Sequence, residues 1–168
     1  MTDIHFLRAD TAESIQRIAT LARIIWEEHY PAIIGAEQVR YMVDKFQTAE
    51  AMQRQADEEG YEYYLIRCED KDIGYIGLRM DTDHCFLSKI YILSEKRGCG
   101  IGSRAMIFID GLCRKEGIGA LRLMVNRYNE KSIAAYKKMG FRIVREQVTD
   151  IGDGYVMDDY AMEKEVGG

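Results

Sequence analysis

Three glycines at alternate positions, Gly98, Gly100 and Gly102, sit in the stretch RGCGIGSRA (97–105) and run into residues of helical spacing. Glycine has no Cβ, so the chain there can turn tightly and bring its amides close to a ligand. The first N–H groups of a helix have no acceptor within it, and the helix dipole favours negative charge at that end. Such a loop suits an anion, here a phosphate or pyrophosphate. Two familiar phosphate loops do not fit. A P-loop requires Gly-Lys-Ser/Thr at its end, whereas Ser103 and Arg104 follow Gly102. The dinucleotide fingerprint requires glycine where Ser103 stands, or where Ala105 stands if counted from Gly100, and no acidic ribose partner follows.

A second constellation lies downstream: Asn129, then Ala134-x-Tyr136-x-Lys138-x-Gly140-Phe141. Asn129 and Tyr136 are seven residues apart, two helical turns, and share a face. Arg97-x-x-Gly100-x-Gly102, directly after a strand ending in Ile90, Tyr91 and Ile92, joins this element to form a pattern that resembles the GCN5-related N-acetyltransferases (GNAT family). The specific motifs span residues 87–141.

That resemblance implies an enzyme moving an acetyl group from acetyl-CoA to an amine by direct attack, without a metal. It places the pyrophosphate on the amides of Gly98, Gly100 and Gly102, with Arg97, Arg104 and Lys138 adding charge. Ser103 either donates to a phosphate or caps the helix. The pantetheine arm pairs with the backbone of Ile90, Tyr91 and Ile92 as an extra strand would. Amides near Tyr91 and Ile92 steady the oxyanion. Asn129 caps its helix, hydrogen-bonds the pantetheine, or does both. Tyr136 is the expected catalytic acid, protonating the departing thiolate.

The base is less legible. Many relatives place a glutamate on the strand at 85–93, but Phe86, Ser88 and Ile90 alternate there with Leu87 and Lys89, and none is acidic. Glu27, Glu28, His84, Tyr63 and Tyr64 are the remaining candidates. Glu27, Glu28 and Tyr30 end the first helix, a region that borders the acceptor cleft in the family. WEEHYPAIIGAEQV and YVMDDYAMEK resemble bacterial polyamine acetyltransferases of the PaiA type. The expected substrate is therefore a small cationic amine such as a polyamine. The alternatives are a protein N-terminus or lysine, or a catalytically silent acyl-CoA-binding module. Many members of the family are dimers, which leaves a homodimer open, although the sequence carries no interface signature.

The elements that must position these residues follow from the hydrophobic periods. Ile4 to Arg8 reads as a strand, and Asp10 with Glu13 as a capping box ahead of a helix running to Tyr30. Pro31 stops that helix. Helical stretches follow at 36–46 and 49–58. Strands follow at 61–69, 73–81 and 85–93, the first two joined by a short link at 70–72. A helix leaves the glycine loop and ends at Gly117, a strand covers 120–125, and a short helix runs from Asn129 to Gly140. Strands at 141–148 and 155–166 close the chain across the turn IGDG. The strand–helix–strand crossover from 85–93 to 120–125 predicts one parallel pair. The fold class is α+β: a single GNAT-like domain over 1–168 with a mixed, mostly antiparallel sheet flanked by helices. The acceptor side covers 1–84, the acyl-CoA-binding core 85–141 and the terminal strand pair 141–166.

Charge is segregated along the chain. Residues 1–86 hold 9 basic against 17 acidic residues, 87–140 hold 11 against 4, and 141–168 hold 3 against 7. The basic block contains the glycine loop, which fits an anionic ligand there and a cationic one elsewhere. Nucleic acid is a poor fit, because the basic block lacks interleaved aromatics and the chain is acidic overall. No apolar run approaches the roughly 20 residues of a membrane span. No basic-then-apolar leader opens the sequence. Four cysteines at irregular spacing, without CxxC, read as reduced thiols of a cytoplasmic protein.

Overall fold

The computed structural model describes residues 3–166. Strands β1 (Ile4–Arg8), β2 (Glu62–Cys68), β3 (Lys71–Met80), β4 (Cys85–Ile92), β5 (Ala120–Asn126), β6 (Arg142–Gly152) and β7 (Tyr155–Glu165) form a seven-stranded sheet in the order β1-β2-β3-β4-β5-β7-β6. Its helices are α1 (Ala12–His29), α2 (Pro31–Ile34), α3 (Ala36–Phe46), α4 (Ala49–Glu59), α5 (Ile101–Lys115) and α6 (Glu130–Lys138). The predicted parallel pair is β4 with β5, in register from Cys85↔Leu121 to Leu87↔Leu123. The chain divides into two compact units, 1–79 with 89–108, and 80–88 with 109–168.

The first unit holds β1 to β3, the C-terminal half of β4 and α1 to α4. The start of α1 differs from the Asp10–Glu13 expectation. Thr11 is the N-cap: its hydroxyl accepts from the Ser14 amide at 3.1 Å, and Ser14 Oγ accepts from the Thr11 amide at 3.0 Å. Thr11 satisfies the first-turn amides from one position later, so Glu13 becomes a first-turn acid near the positive helix end. Pro31 ends α1 but also opens α2, where its missing N–H costs nothing. The β2–β3 turn uses Glu69 and Asp70, both with positive φ (49° and 70°), so the link falls earlier than 70–72.

Ile15, Ile18, Leu21, Ala22, Ile25 and Trp26 form the buried stripe of α1. Trp26 Nε1 donates to the Tyr75 hydroxyl at 3.3 Å, and that hydroxyl donates to Gln47 Oε1 at 3.0 Å. Three buried polar groups are thereby satisfied inside an apolar core. At the rim, Arg17 grips Asp72 with two bonds of 2.9 and 2.7 Å and holds its carboxyl below the usual range.

The second unit holds the N-terminal half of β4, β5 to β7, α6 and the end of α5. β5 pairs antiparallel with β7 from Ala120↔Glu165 to Asn126↔Asp159, and β6 folds back on β7 across Asp153 and Gly154. Lys164 Nζ meets Asp110 Oδ2 at 2.9 Å, with both side chains largely covered. Asp159 on β7 is buried, and the desolvation of its carboxylate, with Asp158 beside it, pushes its pKa up to about 6.

A raised acid pKa means that the folded chain holds the proton more tightly than the unfolded chain does. The charged carboxylate therefore costs stability as pH rises from about 4 through about 6. Asp159→Asn should be more stable than the parent at pH 7 by on the order of 2 kcal/mol, with the gap closing toward pH 4. Urea unfolding across that range checks this. A variant that is less stable at pH 7 would contradict the buried-charge account.

Candidate active site

In the first unit, β4 runs through Leu93 and a 3₁₀ turn (Ser94–Lys96) to Arg97 and the glycine loop. Gly98 and Gly100 take φ of +79° and +77°, and a Cβ on either would meet nothing within 4 Å. The requirement is thus for a left-handed backbone, not for space. The Arg104 amide bonds Gly100 O at 3.2 Å, which opens α5 and leaves the amides of Ile101, Gly102 and Ser103 ahead of that first helical bond. This is the geometry of an anion cradle.

Several predicted residues make contacts that hold this loop. Glu28 Oε2 accepts from the Ser94 amide at 3.1 Å, so this predicted acceptor-side carboxylate ties the end of α1 to the loop entrance. Arg97 Nε donates to Ile92 O at 3.3 Å, and its Nη1 lies 3.2 Å from His29 Nδ1. Tyr30 stacks on Trp26 with centroids 4.3 Å apart and meets the Tyr91 ring edge-on at 6.1 Å. Tyr91 also contacts Trp26 and Tyr75 at 5.4 and 5.3 Å. Glu27 is exposed.

On β3, a Cβ at Gly74 would come 2.4 Å from Tyr91 O and 3.3 Å from the Ile92 Cα. Glycine is required there for the main chain of β3 to approach the very residues predicted to face pantetheine. The parallel register of β4 with β5 runs over 85–87.

In the second unit, Asn129 stands at the N-cap of α6 and is 4% exposed, yet its side chain makes no capping bond. Its carbonyl accepts from Ile133 N at 3.1 Å. Simple side-chain capping is therefore not its role. Tyr136 lies two turns on, its ring 5.6 Å from that of Phe141. Gly140, at φ +99°, donates to Lys137 O at 3.1 Å, and Phe141 donates to Tyr136 O at 3.0 Å. These two bonds form a Schellman cap. The Gly-Phe pair of the motif thus fixes the turn that carries Tyr136. Lys138 is exposed.

The expected bases fare unevenly. Burial pushes the Tyr64 phenol up to about 12 and raises that of Tyr63 further, so neither accepts a proton at neutral pH. His84 is engaged by Asp81 at 3.1 Å and Asp83 at 2.8 Å. Sequence reasoning passed over Lys89, which is 5% exposed. The available signal was a charged residue continuing the apolar alternation of Cys85 and Leu87. Among the described residues, no three His, Cys, Asp or Glu side chains cluster as metal ligands would, and no helix is long and apolar enough to cross a membrane.

Residues 18–141 match the Acetyltransferase (GNAT) family, most of the chain and both motifs included. The chain belongs to that family. It is an acetyltransferase, and the sheet with its one parallel pair is the family's fold. A spermidine N(1)-acetyltransferase of Thermoplasma acidophilum is 23% identical over 156 residues, covering 90% of this chain and 94% of that relative. The crystal structure of the PaiA N-acetyltransferase from the same organism, in complex with coenzyme A, superposes with a TM-score of 0.79 at 23% identity, over 97% of this chain and 99% of that one. The ribosomal-protein-S18-alanine N-acetyltransferase of Escherichia coli reaches a TM-score of 0.69 at 18% identity, over 100% and 96%.

Two glycine substitutions separate conformation from space. Gly100→Ala should cost about 1 kcal/mol, because a Cβ has room but disfavours the left-handed backbone. Gly74→Ala should cost about 3 kcal/mol, because β3 and β4 must move apart. Chemical denaturation ranks the two, and the reverse order would contradict the close approach at Tyr91.

Proposed function

We propose that this chain transfers the acetyl group of acetyl-CoA to the primary amine of a small cation such as a polyamine. The observation that carries the reading is the pair of left-handed glycines delivering the first amides of α5, directly after the end of β4. Amides at a helix start suit a pyrophosphate. The main chain at the end of β4 suits the amide chain of pantetheine as an added strand would. A solved structure of this fold binds coenzyme A, and a curated relative is named for spermidine, which support donor and acceptor respectively.

In this reading Gly98, Gly100, Gly102 and Ser103 receive the pyrophosphate, and Arg97, Arg104 and Lys138 supply positive charge around the phosphates. Asn129, buried and not spent on capping, turns its amide to the pantetheine. The amine lone pair attacks the thioester carbonyl, forming the C–N bond. Amides near Tyr91 and Ile92 hold the oxyanion as the C–S bond breaks, and Tyr136 gives its proton to the thiolate. A primary amine arrives protonated, and removing that proton at pH 7 costs about 4.6 kcal/mol. The acidic segment at 1–86 attracts such a cation before that step.

Thiol release from acetyl-CoA, measured against polyamines, aminoglycosides, lysine peptides and protein N-terminal peptides, tests the reaction and ranks the acceptors. Polyamines should give the highest kcat/KM. Release that no amine stimulates would leave hydrolysis or binding alone. Tyr136→Phe should lower kcat about 100-fold with acetyl-CoA affinity unchanged; equal turnover would remove Tyr136 from the mechanism.

A further inference from the structure

Lys89 is the one lysine of the chain that is both buried and free of any carboxylate partner among the described residues. Its Nζ donates to Gln55 Oε1 at 2.8 Å and to the Tyr63 hydroxyl at 2.8 Å. The Tyr63 hydroxyl in turn donates to Gln55 Oε1. The Tyr63 ring lies 5.0 Å from Nζ and the Tyr61 ring 6.0 Å. Gly77 makes the room: a Cβ there would come 2.9 Å from Tyr63 Cε1 and 3.3 Å from Lys89 Cδ.

The count of donors and acceptors suits a neutral amine. An ammonium has three N–H donors, and this site offers two acceptors. A neutral amine has two N–H groups and one lone pair, which matches the site and leaves the lone pair unspent. Burial is the main cause that lowers the Lys89 pKa, to about 7, with the Glu59 charge on α4 pulling the other way. The remaining ionisable neighbours are Tyr63 on β2 and Tyr61 just before it, with Arg79 of β3 over the Tyr61 ring. When the amine gains a proton, two oxygen acceptors and two ring faces temper the new charge. The group can therefore take up and release a proton around neutral pH.

Its position in the chain connects it to the reaction. Lys89 lies two residues past Leu87, which is in register with Leu123 of β5, and one residue before the segment assigned to pantetheine. We infer that Lys89, held as a free amine by Tyr63 and Gln55, is the residue that accepts the proton the substrate ammonium must lose before attack. This rests on the acetyl-transfer reading above. The substrate N–H bond breaks, the proton joins the Lys89 lone pair, and the substrate nitrogen keeps its electron pair for the thioester carbonyl. After product leaves, Lys89 returns the proton to solvent.

The test is kcat/KM for acetyl transfer to spermidine from pH 6 to pH 10 in the parent, Lys89→Met and Lys89→Arg. The parent should lose activity below about pH 7. Both variants should fall about 100-fold at pH 7, and the deficit should shrink toward fivefold at pH 10, where the substrate amine deprotonates without help. Acetyl-CoA affinity should stay unchanged. A deficit that is equal at every pH marks a packing role and overturns the proposal. Should a variant fail to fold, carbon-13 NMR of the labelled lysine ε-carbons in the parent decides: one lysine titrating near pH 7 supports the proposal, and every lysine charged to pH 9 overturns it. If the parent releases no thiol with any amine, the transfer reading itself fails and Lys89 loses its role with it. Turnover with parallel pH profiles removes Lys89 alone.

Discussion

A main-chain amide without a helical acceptor is costly inside a protein and useful at its surface, and the start of α5 sets Ile101, Gly102 and Ser103 ahead of its first helical bond. The chain reaches that helix from the end of β4 through a 3₁₀ turn and the glycine loop. Much of the surrounding structure keeps that segment in place. Gly74 lets β3 press against the Tyr91 carbonyl, the Leu93 amide bonds Ile73 O at 2.8 Å, Glu28 holds Ser94, and Arg97 reaches back to Ile92. Backbone recognition of this kind needs few particular side chains. Its marks in the sequence are glycines.

The chemistry the segment serves imposes opposite electrical demands. The donor carries phosphates and the acceptor a positive charge, and the basic block at 87–140 set against the acidic block at 1–86 suits that division. Within the basic block, Lys89 is the exception. Burial, with Tyr63 beside it, lowers its pKa to about 7. A lysine in this state behaves as a proton acceptor and not as a counter-ion.

Where a local rule governs the structure, the sequence was readable. The periodic apolar stripe of α1, the IGDG turn and the crossover from β4 to β5 each appear as expected, because helix period, turn chemistry and chain connectivity are short-range constraints. The start of α1 was misjudged by one residue, since Asp10 and Thr11 are both good caps and only the fold decides which faces the Ser14 amide. Contacts between residues far apart in sequence were not legible for the same reason. That Glu28 also meets the Ser94 amide, 66 residues away, has no mark in the sequence around it. Asn129 was expected to cap its helix, to bond pantetheine or to do both, and only geometry shows its amide unspent on the helix. Lys89 looked like an ordinary strand lysine because Gln55 lies 34 residues away in sequence.

Amide hydrogen exchange, with and without coenzyme A, tests the central claim most directly. The account predicts slowed exchange at Ile90 to Ile92 and from Gly98 to Arg104 when coenzyme A is added. Protection confined to other segments, with these amides exchanging as in the free protein, would contradict it.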